Sequence, residues 1–235
     1  DAKTMTRLDT WNQLQANGLK AYREIPEASC ALASRRDTKQ FKRFIGKQNG
    51  LTLDIGCGIE VPGYLDRHNL RYTVGIDPLP AVGDFTPMTR LKCSGEVLPC
   101  IANWFHLVIL AGTIDHVLDP AAVLSEARRV VKPSGRIVVQ IGIPGSDPRS
   151  KIAKVVDNLA GMATYTEVMA ERWNYIRGFT HGMPVPEGAV APFHFRVETE
   201  TGYYTESLIE SMFEAAQLHI SRRKRLPGST FYELK

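Results

Sequence analysis

The sequence predicts an α/β protein, a three-layer αβα sandwich with a mostly parallel seven-stranded sheet that ends in an antiparallel hairpin, and a helical insert after strand 5. From residue 51 onward, short apolar runs alternate with helix-like segments, a pattern typical of parallel strands covered by helices on both faces. Two further strand candidates flank the Pro-Gly pair at 227–228, which predicts the closing hairpin. The seven strand candidates are residues 51–55, 71–76, 88–92, 105–111, 135–141, 218–224 and 230–234.

Apolar stripes and capping signals predict the helices. The Asp-Pro pair at 119–120 supplies an N-cap and a proline for the first helical position, and the Lys-Pro-Ser-Gly segment 132–135 ends that helix. Thr205 caps a later helix with an apolar face. Before the first strand, the apolar residues within 41–45 form the stripe of another helix, which the Asn-Gly pair at 49–50 ends.

Length and composition favour a single core. A chain of 235 residues, 43% of them apolar, can bury one full core with appendages. We expect an N-terminal helical segment over residues 1–50 and the α/β domain over residues 51–141 and 193–235. Residues 142–192 begin with Gly and Pro and then carry a helical apolar stripe, which predicts an inserted helical cap.

Bulk properties argue against a membrane span, a metal site and a nucleic-acid partner. No stretch approaches the ~20 consecutive apolar residues that a membrane helix needs, and the first seven residues do not resemble a signal peptide, so we expect a soluble, cytoplasmic protein. The net charge of +4 and the pI near 8.9 are mild. The cysteines lie at irregular spacings without a Cys-x-x-Cys pair, which favours reduced thiols over zinc ligands or disulfides. They are Cys30, Cys57, Cys93 and Cys100.

A glycine-containing loop follows the first predicted strand and leads into a predicted helix start. Gly56 and Gly58 allow the backbone to approach a ligand without side-chain obstruction. Asp77 ends the second predicted strand, 21 residues after Gly56, where a carboxylate can accept hydrogen bonds from both ribose hydroxyls. Each signal is weak alone, because Gly-x-Gly is common and an Asp after a strand is more often a helix cap or turn residue. Together they predict a site for a ribose-containing ligand.

Further sequence blocks follow in an order and at distances that allow a comparison with a known family. They are Gly56-Cys-Gly58, Gly75-Ile-Asp77, Glu96-Val-Leu-Pro99, Phe105-His-Leu-Val-Ile109, Asp115-His116-Val117 and Val131-Lys-Pro-Ser-Gly-Arg136. In these blocks the chain resembles the class I (Rossmann-like) S-adenosylmethionine-dependent methyltransferases, and among them those with a type 11 methyltransferase domain. The resemblance is strong over residues 51–141 and moderate over 194–235. It implies an enzyme that binds S-adenosyl-L-methionine across the carboxyl ends of the parallel strands.

The resemblance also implies which residues meet each part of the cofactor. The glycine loop would hold the methionyl part, and the acid after the second strand would bind the ribose hydroxyls. Later loops would contact the edge of the adenine and the sulfonium end. His116 is alternatively a helix-start or packing residue without proton chemistry. In that order the residues are Asp54, Gly56, Cys57 and Gly58 for the methionyl part; Asp77 for the ribose; Pro78 and Leu79 against the adenine; Gly95 and Glu96 at its edge; and Ala111, Gly112, Thr113 and His116 at the sulfonium end.

Three positions depart from the family pattern. Glu60 stands where a third glycine is usual, which places a bulky acid near the ligand's carboxylate unless the Pro-Gly pair at 62–63 re-routes the turn. His106 and Ser94 replace acids that are frequent at the start of the fourth strand and two residues before Glu96. We therefore expect adenine recognition to rest on backbone groups and Glu96.

The implied reaction depends mainly on how the acceptor is held. A sulfonium methyl is already activated, so the protein must hold a deprotonated acceptor in line, at about 3 to 3.5 Å from the methyl carbon. The candidate bases are His194 and His181, and we favour His194, although a histidine between two phenylalanines is more often structural. The predicted cap would cover this acceptor, which we expect to be a hydroxyl or amine of a small molecule such as a metabolite, sugar or natural product.

Other functions stay open. The basic runs at 35–36 and 222–225 keep RNA as an alternative acceptor, although no long basic stripe with interleaved aromatics is present. Glu60 prompts a second alternative, a non-catalytic binding module that keeps the fold. An NAD-dependent oxidoreductase is disfavoured, because its Gly-x-Gly-x-x-Gly loop would need glycine at Val61 and no Tyr-x-x-x-Lys follows. We expect no metal, no membrane partner, and a monomer or homodimer.

Overall fold

All seven predicted strands are present and form one sheet. The computed structural model describes residues 6–24, 29, 31–142, 204–226 and 229–235. The strands are β1 (Thr52–Ile55), β2 (Thr73–Ile76), β3 (Thr89–Leu91), β4 (Phe105–Ala111), β5 (Val131–Ile141), β6 (Ile220–Leu226) and β7 (Ser229–Leu234). Their order is β3-β2-β1-β4-β5-β7-β6, with β1 to β5 joined in parallel and β7 antiparallel to β5 and β6. The predicted sheet and its closing hairpin are therefore confirmed.

Helices cover both faces of this sheet. The described residues form four α-helices, α1 (Arg7–Glu24), α2 (Arg36–Ile45), α3 (Pro120–Val130) and α4 (Glu206–Ala215). On one face, Leu124 of α3 and Phe213 of α4 belong to a buried cluster with inward-facing strand residues. On the other face, Phe41 of α2 packs edge-on against Phe231 of β7. Because successive strand residues point to opposite faces, the two clusters form the two cores of the predicted three-layer sandwich.

Both predicted helix starts are capped as the sequence indicates. The Asp119 side chain accepts hydrogen bonds from the backbone N–H groups of Ala121 and Ala122 at the start of α3. Thr205 does the same for the N–H of Leu208 in α4. These caps satisfy backbone donors that have no partner within the helix.

The end of α2 lies earlier than the sequence prediction. The helix ends at Ile45 rather than at the Asn-Gly pair 49–50. Gly46 adopts a φ of +68°, and its N–H donates to the carbonyl of Lys42. The left-handed residue that stops this helix is thus a glycine that the prediction overlooked.

The segment between α3 and the paired part of β5 also differs from the prediction. β5 begins at Val131, directly after α3, so residues 132–135 belong to the strand rather than to a turn before it. Phe105 pairs with Val131 and Leu107 with Arg136, which makes these residues an irregularity in the pairing with β4. The strand accommodates the extra residues as a bulge.

Turns and the short 3₁₀ helix Arg67–Tyr72 connect β1 to β2, so the predicted helix start after the glycine loop was wrong. Pro62 interrupts any helix at this point because proline has no backbone N–H to donate. The N–H of Gly63 donates to the carbonyl of Ala31, and a Cβ on Gly63 would collide with Ala33. The segment after the loop therefore packs against the chain that precedes α2.

Part of the predicted organisation lies outside the described residues. The predicted cap, residues 142–192, is described only at Gly142, and the candidate bases His181 and His194 lie outside the described residues. Within residues 1–50 the structure has α1 and α2. No helix in the described ranges is both long and apolar enough to cross a membrane.

The cap of α3 gives a stability prediction. Asp119→Ala removes the acceptor for two backbone N–H groups and is expected to lower the free energy of unfolding by about 1 kcal/mol. Asp119→Asn retains an acceptor oxygen and is the matched control, with stability close to that of the wild type. Urea denaturation followed by circular dichroism measures both variants. An alanine variant as stable as the asparagine variant would contradict the capping role.

Candidate active site

A cleft opens at the carboxyl ends of the parallel strands, where ligands of open α/β sheets bind. Its volume is about 700 Å³, including the solvent space at its mouth. The loops after β1, β2, β3 and β4 form its floor, and α1 contributes one wall. The residues that line it include Gly56 and Gly58 after β1; Asp77, Pro78 and Leu79 after β2; Ser94, Gly95 and Glu96 after β3; Ala111, Gly112, Thr113 and His116 after β4; and Trp11, Gln15 and Tyr22 of α1.

The glycine loop presents backbone to this cleft. Gly56 and Gly58 have φ values of +79° and +77°, in the left-handed region that favours glycine. A Cβ on Gly56 would lie 2.5 Å from Oγ1 of Thr113, whereas a Cβ on Gly58 would project into open space. The loop is therefore packed tightly on one side, and at Gly58 it leaves room for a ligand against its backbone.

Asp77 joins the loops that follow β1 and β2. It is 6% exposed, and its carboxylate accepts hydrogen bonds from the backbone N–H groups of Gly58 and Leu79, each at 2.8 Å. Burial raises the pKa of Asp77, while these two hydrogen bonds and the charges of Arg90 and His116 act in the opposite direction. A carboxylate has about four lone-pair sites, so acceptor capacity remains for two ligand hydroxyls.

Two of the predicted residues lie behind the cleft rather than in its lining. Asp54 is fully buried and accepts the hydroxyl hydrogen bond of Tyr64, whose oxygen lies 3.1 and 3.0 Å from the two carboxylate oxygens. Burial raises the pKa of Asp54 to about 8, and the nearby charge of Asp77 adds to the shift. Cys57 is buried under Gly75, and burial raises the pKa of its thiol. Their neighbours Tyr64 and Asp77 line the cleft, whereas Asp54 and Cys57 are not among the lining residues.

Glu96 has a structural partner at the cleft edge. Its Oε1 accepts hydrogen bonds from the backbone N–H groups of Leu118 at 2.8 Å and Asp119 at 3.2 Å. Its carboxylate therefore orders the loop that leads into α3, although the residue also lines the cleft. Next to it, a Cβ on Gly95 would lie 2.8 Å from Cγ2 of Ile55, so close packing against β1 requires glycine there.

Residues 53–139 match a family described as the methyltransferase domain. Over these residues, which are less than half of the chain, the sequence is similar to the methyltransferase domain. Among curated proteins, the ubiquinone/menaquinone biosynthesis C-methyltransferase UbiE of Burkholderia vietnamiensis is 41% identical over 66 residues, which are 28% of this chain and 26% of that protein. The UbiE of Paraburkholderia xenovorans is 30% identical over 118 residues, 50% of this chain and 45% of that protein. The chain thus spans from a quarter to less than half of the length of these relatives.

Solved structures share the fold over nearly the whole chain. The 1,6-didemethyltoxoflavin-N1-methyltransferase of Burkholderia thailandensis, with 1,6-didemethyltoxoflavin and S-adenosylhomocysteine bound, has a TM-score of 0.59 and 12% identity, covering 100% of this chain and 92% of that one. A possible histamine N-methyltransferase of Thermotoga maritima has a TM-score of 0.54 and 14% identity, covering 96% and 99%. At these identities the likeness shows the fold, which agrees with the predicted sandwich.

Helix α1 contributes cleft-lining residues that the sequence prediction missed. The side chains of Trp11 and Gln15 both donate to the carbonyl of His116, at 2.8 and 2.9 Å, and Arg7 donates to the carbonyl of Leu118 at 2.8 Å. Trp11 and Gln15 are four residues apart and so share one helix face. That spacing was readable in the sequence, but nothing in it indicated that the face would meet the loop after β4.

The departure at Glu60 has less effect than expected. Glu60 is exposed and is not among the residues that line the cleft. Its side chain lies beside Gly83, where the N–H groups of Val82 and Gly83 donate to the carbonyl of Ile59. The loop thus turns the acid toward solvent and away from the cleft lining.

Few of the side chains that line the cleft are ionisable. Within the described ranges, His116 is the histidine that faces it, and no group of three or more His, Cys, Asp or Glu side chains could hold a metal ion. Cys57, Cys93 and Cys100 are free thiols, while Cys30 lies outside the described residues. The lining is therefore better suited to binding and orienting a nucleoside than to general acid–base catalysis by residues of the cleft floor.

The buried carboxyl of Asp54 predicts a pH-dependent stability. Its pKa of about 8 in the folded protein lies above the ordinary value near 3.9, so the folded state binds more protons between these pH values. Its contribution is complete below about pH 4 and is lost as pH rises toward about 8. Asp54→Asn removes this titration and keeps an acceptor for Tyr64. From pH 5 to pH 8 its stability relative to the wild type should rise by on the order of 3 kcal/mol.

Urea denaturation at pH 5, 6, 7 and 8 measures this difference. Asp84→Asn is the matched control, because Asp84 is exposed and its hydrogen bonds to Thr86 lower its pKa. Its carboxylate is therefore ionised throughout this pH range, and its removal should shift stability equally at every pH. Parallel pH profiles for Asp54→Asn and the wild type would rule out a neutral buried carboxyl at Asp54.

Proposed function

We propose that this protein transfers the methyl group of S-adenosylmethionine to a hydroxyl or amine of a small molecule such as a metabolite, sugar or natural product. The observation that carries the proposal is the 2.8 Å hydrogen bond between Gly58 N–H and the Asp77 carboxylate, both in the lining of the cleft. It brings the glycine loop and the distal acid to one place, so that both can contact a single nucleoside ligand. The cleft fits such a ligand because Gly58 leaves space for it and Asp77 keeps acceptor capacity.

Each part of the cleft then has a role toward the cofactor. The backbone of Gly56 and Gly58 holds the methionyl part, Asp77 accepts from the ribose hydroxyls, and Pro78 and Leu79 lie against the adenine. Gly95 and Glu96 border the adenine edge, while residues 111–113 and His116 face the sulfonium end. Asp54 and Cys57 act from behind the wall rather than by contact. The bound cofactor supplies an activated methyl group, so the protein needs chiefly to orient the acceptor and exclude water.

The acceptor base is assigned to His194, with His181 as the second candidate. Both stand in the segment after β5, where the proposed cap would enclose the acceptor. A neutral hydroxyl or a protonated amine reacts only after it loses a proton, and a histidine titrates in the range where this is possible at neutral pH. The curated relatives are named as C-methyltransferases, but those matches cover half of the chain or less, so their acceptor does not transfer with them.

Two alternatives have less support. RNA methylation would draw on the basic run of β6, yet Arg222 pairs with Glu233 and Arg225 with Glu206, and Lys224 donates to Gln40. Charges satisfied within the fold leave little attraction for phosphates. The binding-module alternative came from Glu60, and that side chain lies outside the cleft lining.

The ribose contact is tested with Asp77→Ala. Loss of hydrogen bonds to a charged acceptor costs about 1.5 to 3 kcal/mol, so affinity for S-adenosylhomocysteine should fall about tenfold to a hundredfold. Isothermal titration calorimetry measures this affinity, with Asp84→Ala as the exposed control and NAD as the control ligand. Wild-type protein that binds neither ligand would support the non-catalytic alternative, and unchanged affinity in Asp77→Ala would remove Asp77 from the site.

The base assignment is tested with His194→Ala. Turnover should fall at least tenfold, while affinity for S-adenosylhomocysteine stays as in the wild type, because a base acts on the acceptor alone. The assay follows S-adenosylhomocysteine release with a panel of phenols, alcohols and amines, and His181→Ala is the parallel variant. Full activity of His194→Ala together with inactive His181→Ala would move the role to His181.

A further inference from the structure

Arg90 lies directly behind the two loops that form the proposed nucleoside site. It stands on β3, its side chain is only 8% exposed, and it is not among the residues that line the cleft. Its guanidinium donates to the carbonyl of Gly58 through Nε at 3.2 Å and Nη2 at 3.0 Å, and to the carbonyl of Leu79 through Nη2 at 2.6 Å. The group also stacks over the ring of Phe85, with 5.0 Å from Cζ to the ring centroid.

These contacts form a second connection between the loops that Asp77 joins. Asp77 accepts from the N–H groups of Gly58 and Leu79, and Arg90 donates to the carbonyls of the same two residues. The guanidinium also lies 4.0 Å from Oδ1 of Asp77. A side chain that donates to two carbonyls and also lies beside a carboxylate needs several N–H donors in one plane. Among the side chains, only the guanidinium group of arginine has that geometry.

We propose that Arg90 is a positioning residue for the cofactor, which fixes the spacing between the glycine loop and the ribose-adenine loop without touching the ligand. It acts through Gly58, Leu79 and Asp77. The inference rests on the proposed function, because it assumes that the cleft takes S-adenosylmethionine.

The charge of Arg90 adds a second effect on Asp77. Burial disfavours the ionised carboxylate, and an ionised carboxylate is needed to accept from two ribose hydroxyls and two backbone N–H groups together. The other titratable groups that influence Asp77 or are influenced by it are Asp54 of β1, Cys57 of the glycine loop and His116 after β4. An ionised Asp54 opposes ionisation of Asp77 and the charge of His116 favours it, while Arg90 is the permanent cation of the group.

The test measures S-adenosylhomocysteine affinity by isothermal titration calorimetry from pH 5 to pH 8. Arg90→Met keeps an apolar stem over Phe85 and removes the fork and the charge. We expect affinity at pH 8 to fall at least tenfold, and the loss of affinity on acidification to begin at a higher pH than in the wild type. Lys92→Met is the matched control, because Lys92 follows the same strand, carries the same charge and is exposed. It should stay within twofold of the wild type.

A purely structural role for Arg90 would lower affinity equally at every pH, so an unchanged pH profile in Arg90→Met would overturn the proposal. The double variant Asp77→Asn/Arg90→Met supplies the second check. Because an asparagine at position 77 does not ionise, adding Arg90→Met to Asp77→Asn should leave the pH profile of S-adenosylhomocysteine affinity unchanged.

Thermal denaturation establishes that each variant folds. If Arg90→Met does not fold, Arg90→Lys decides: we expect a wild-type pH midpoint with severalfold weaker binding, and wild-type affinity would overturn the role of the fork. Wild-type protein that gives no heat with S-adenosylhomocysteine would instead defeat the proposed function before any variant is compared.

Discussion

The carboxylate of Asp77 ties together two loops that are far apart in the sequence and adjacent at one edge of the sheet. It accepts from Gly58 after β1 and from Leu79 after β2, and the parallel register of these strands makes the two bonds possible. A carboxylate that is almost fully buried is costly unless its lone pairs are satisfied. The two backbone donors meet that need, and the guanidinium of Arg90 lies 4.0 Å from Oδ1, so the spacing of the two loops depends on this one buried carboxyl group.

The other buried carboxyl, that of Asp54, lies in a different environment. Asp54 has only the hydroxyl of Tyr64 as a side-chain donor, and burial raises its pKa to about 8. Two acids within the same loop region thus occupy different environments, one rich in donors and one poor in them. Environment rather than residue type therefore sets the difference between these two acids.

The floor of the cleft and its surroundings are built from different parts of the chain. The floor comes from the loops of β1 to β4, whereas α1 closes one side by donating to the carbonyls of His116 and Leu118. Such an arrangement allows the surrounding segments to vary while the floor is retained. It accords with curated matches that span less than half of their proteins and solved structures that share the fold at 12% and 14% identity.

The sequence alone determined the seven strands, the closing hairpin and the helix caps, because these depend on local periodicity and turn chemistry. Eleven of the cleft-lining residues followed from the resemblance to a known family. It did not determine that Asp54 and Cys57 lie behind the wall, that Glu60 turns to solvent, or that α1 and Arg90 meet the loops. Those outcomes depend on how side chains from distant segments pack and on which buried polar groups find partners. Tertiary structure decides them because a contact between segments far apart in the chain leaves no local pattern in either one.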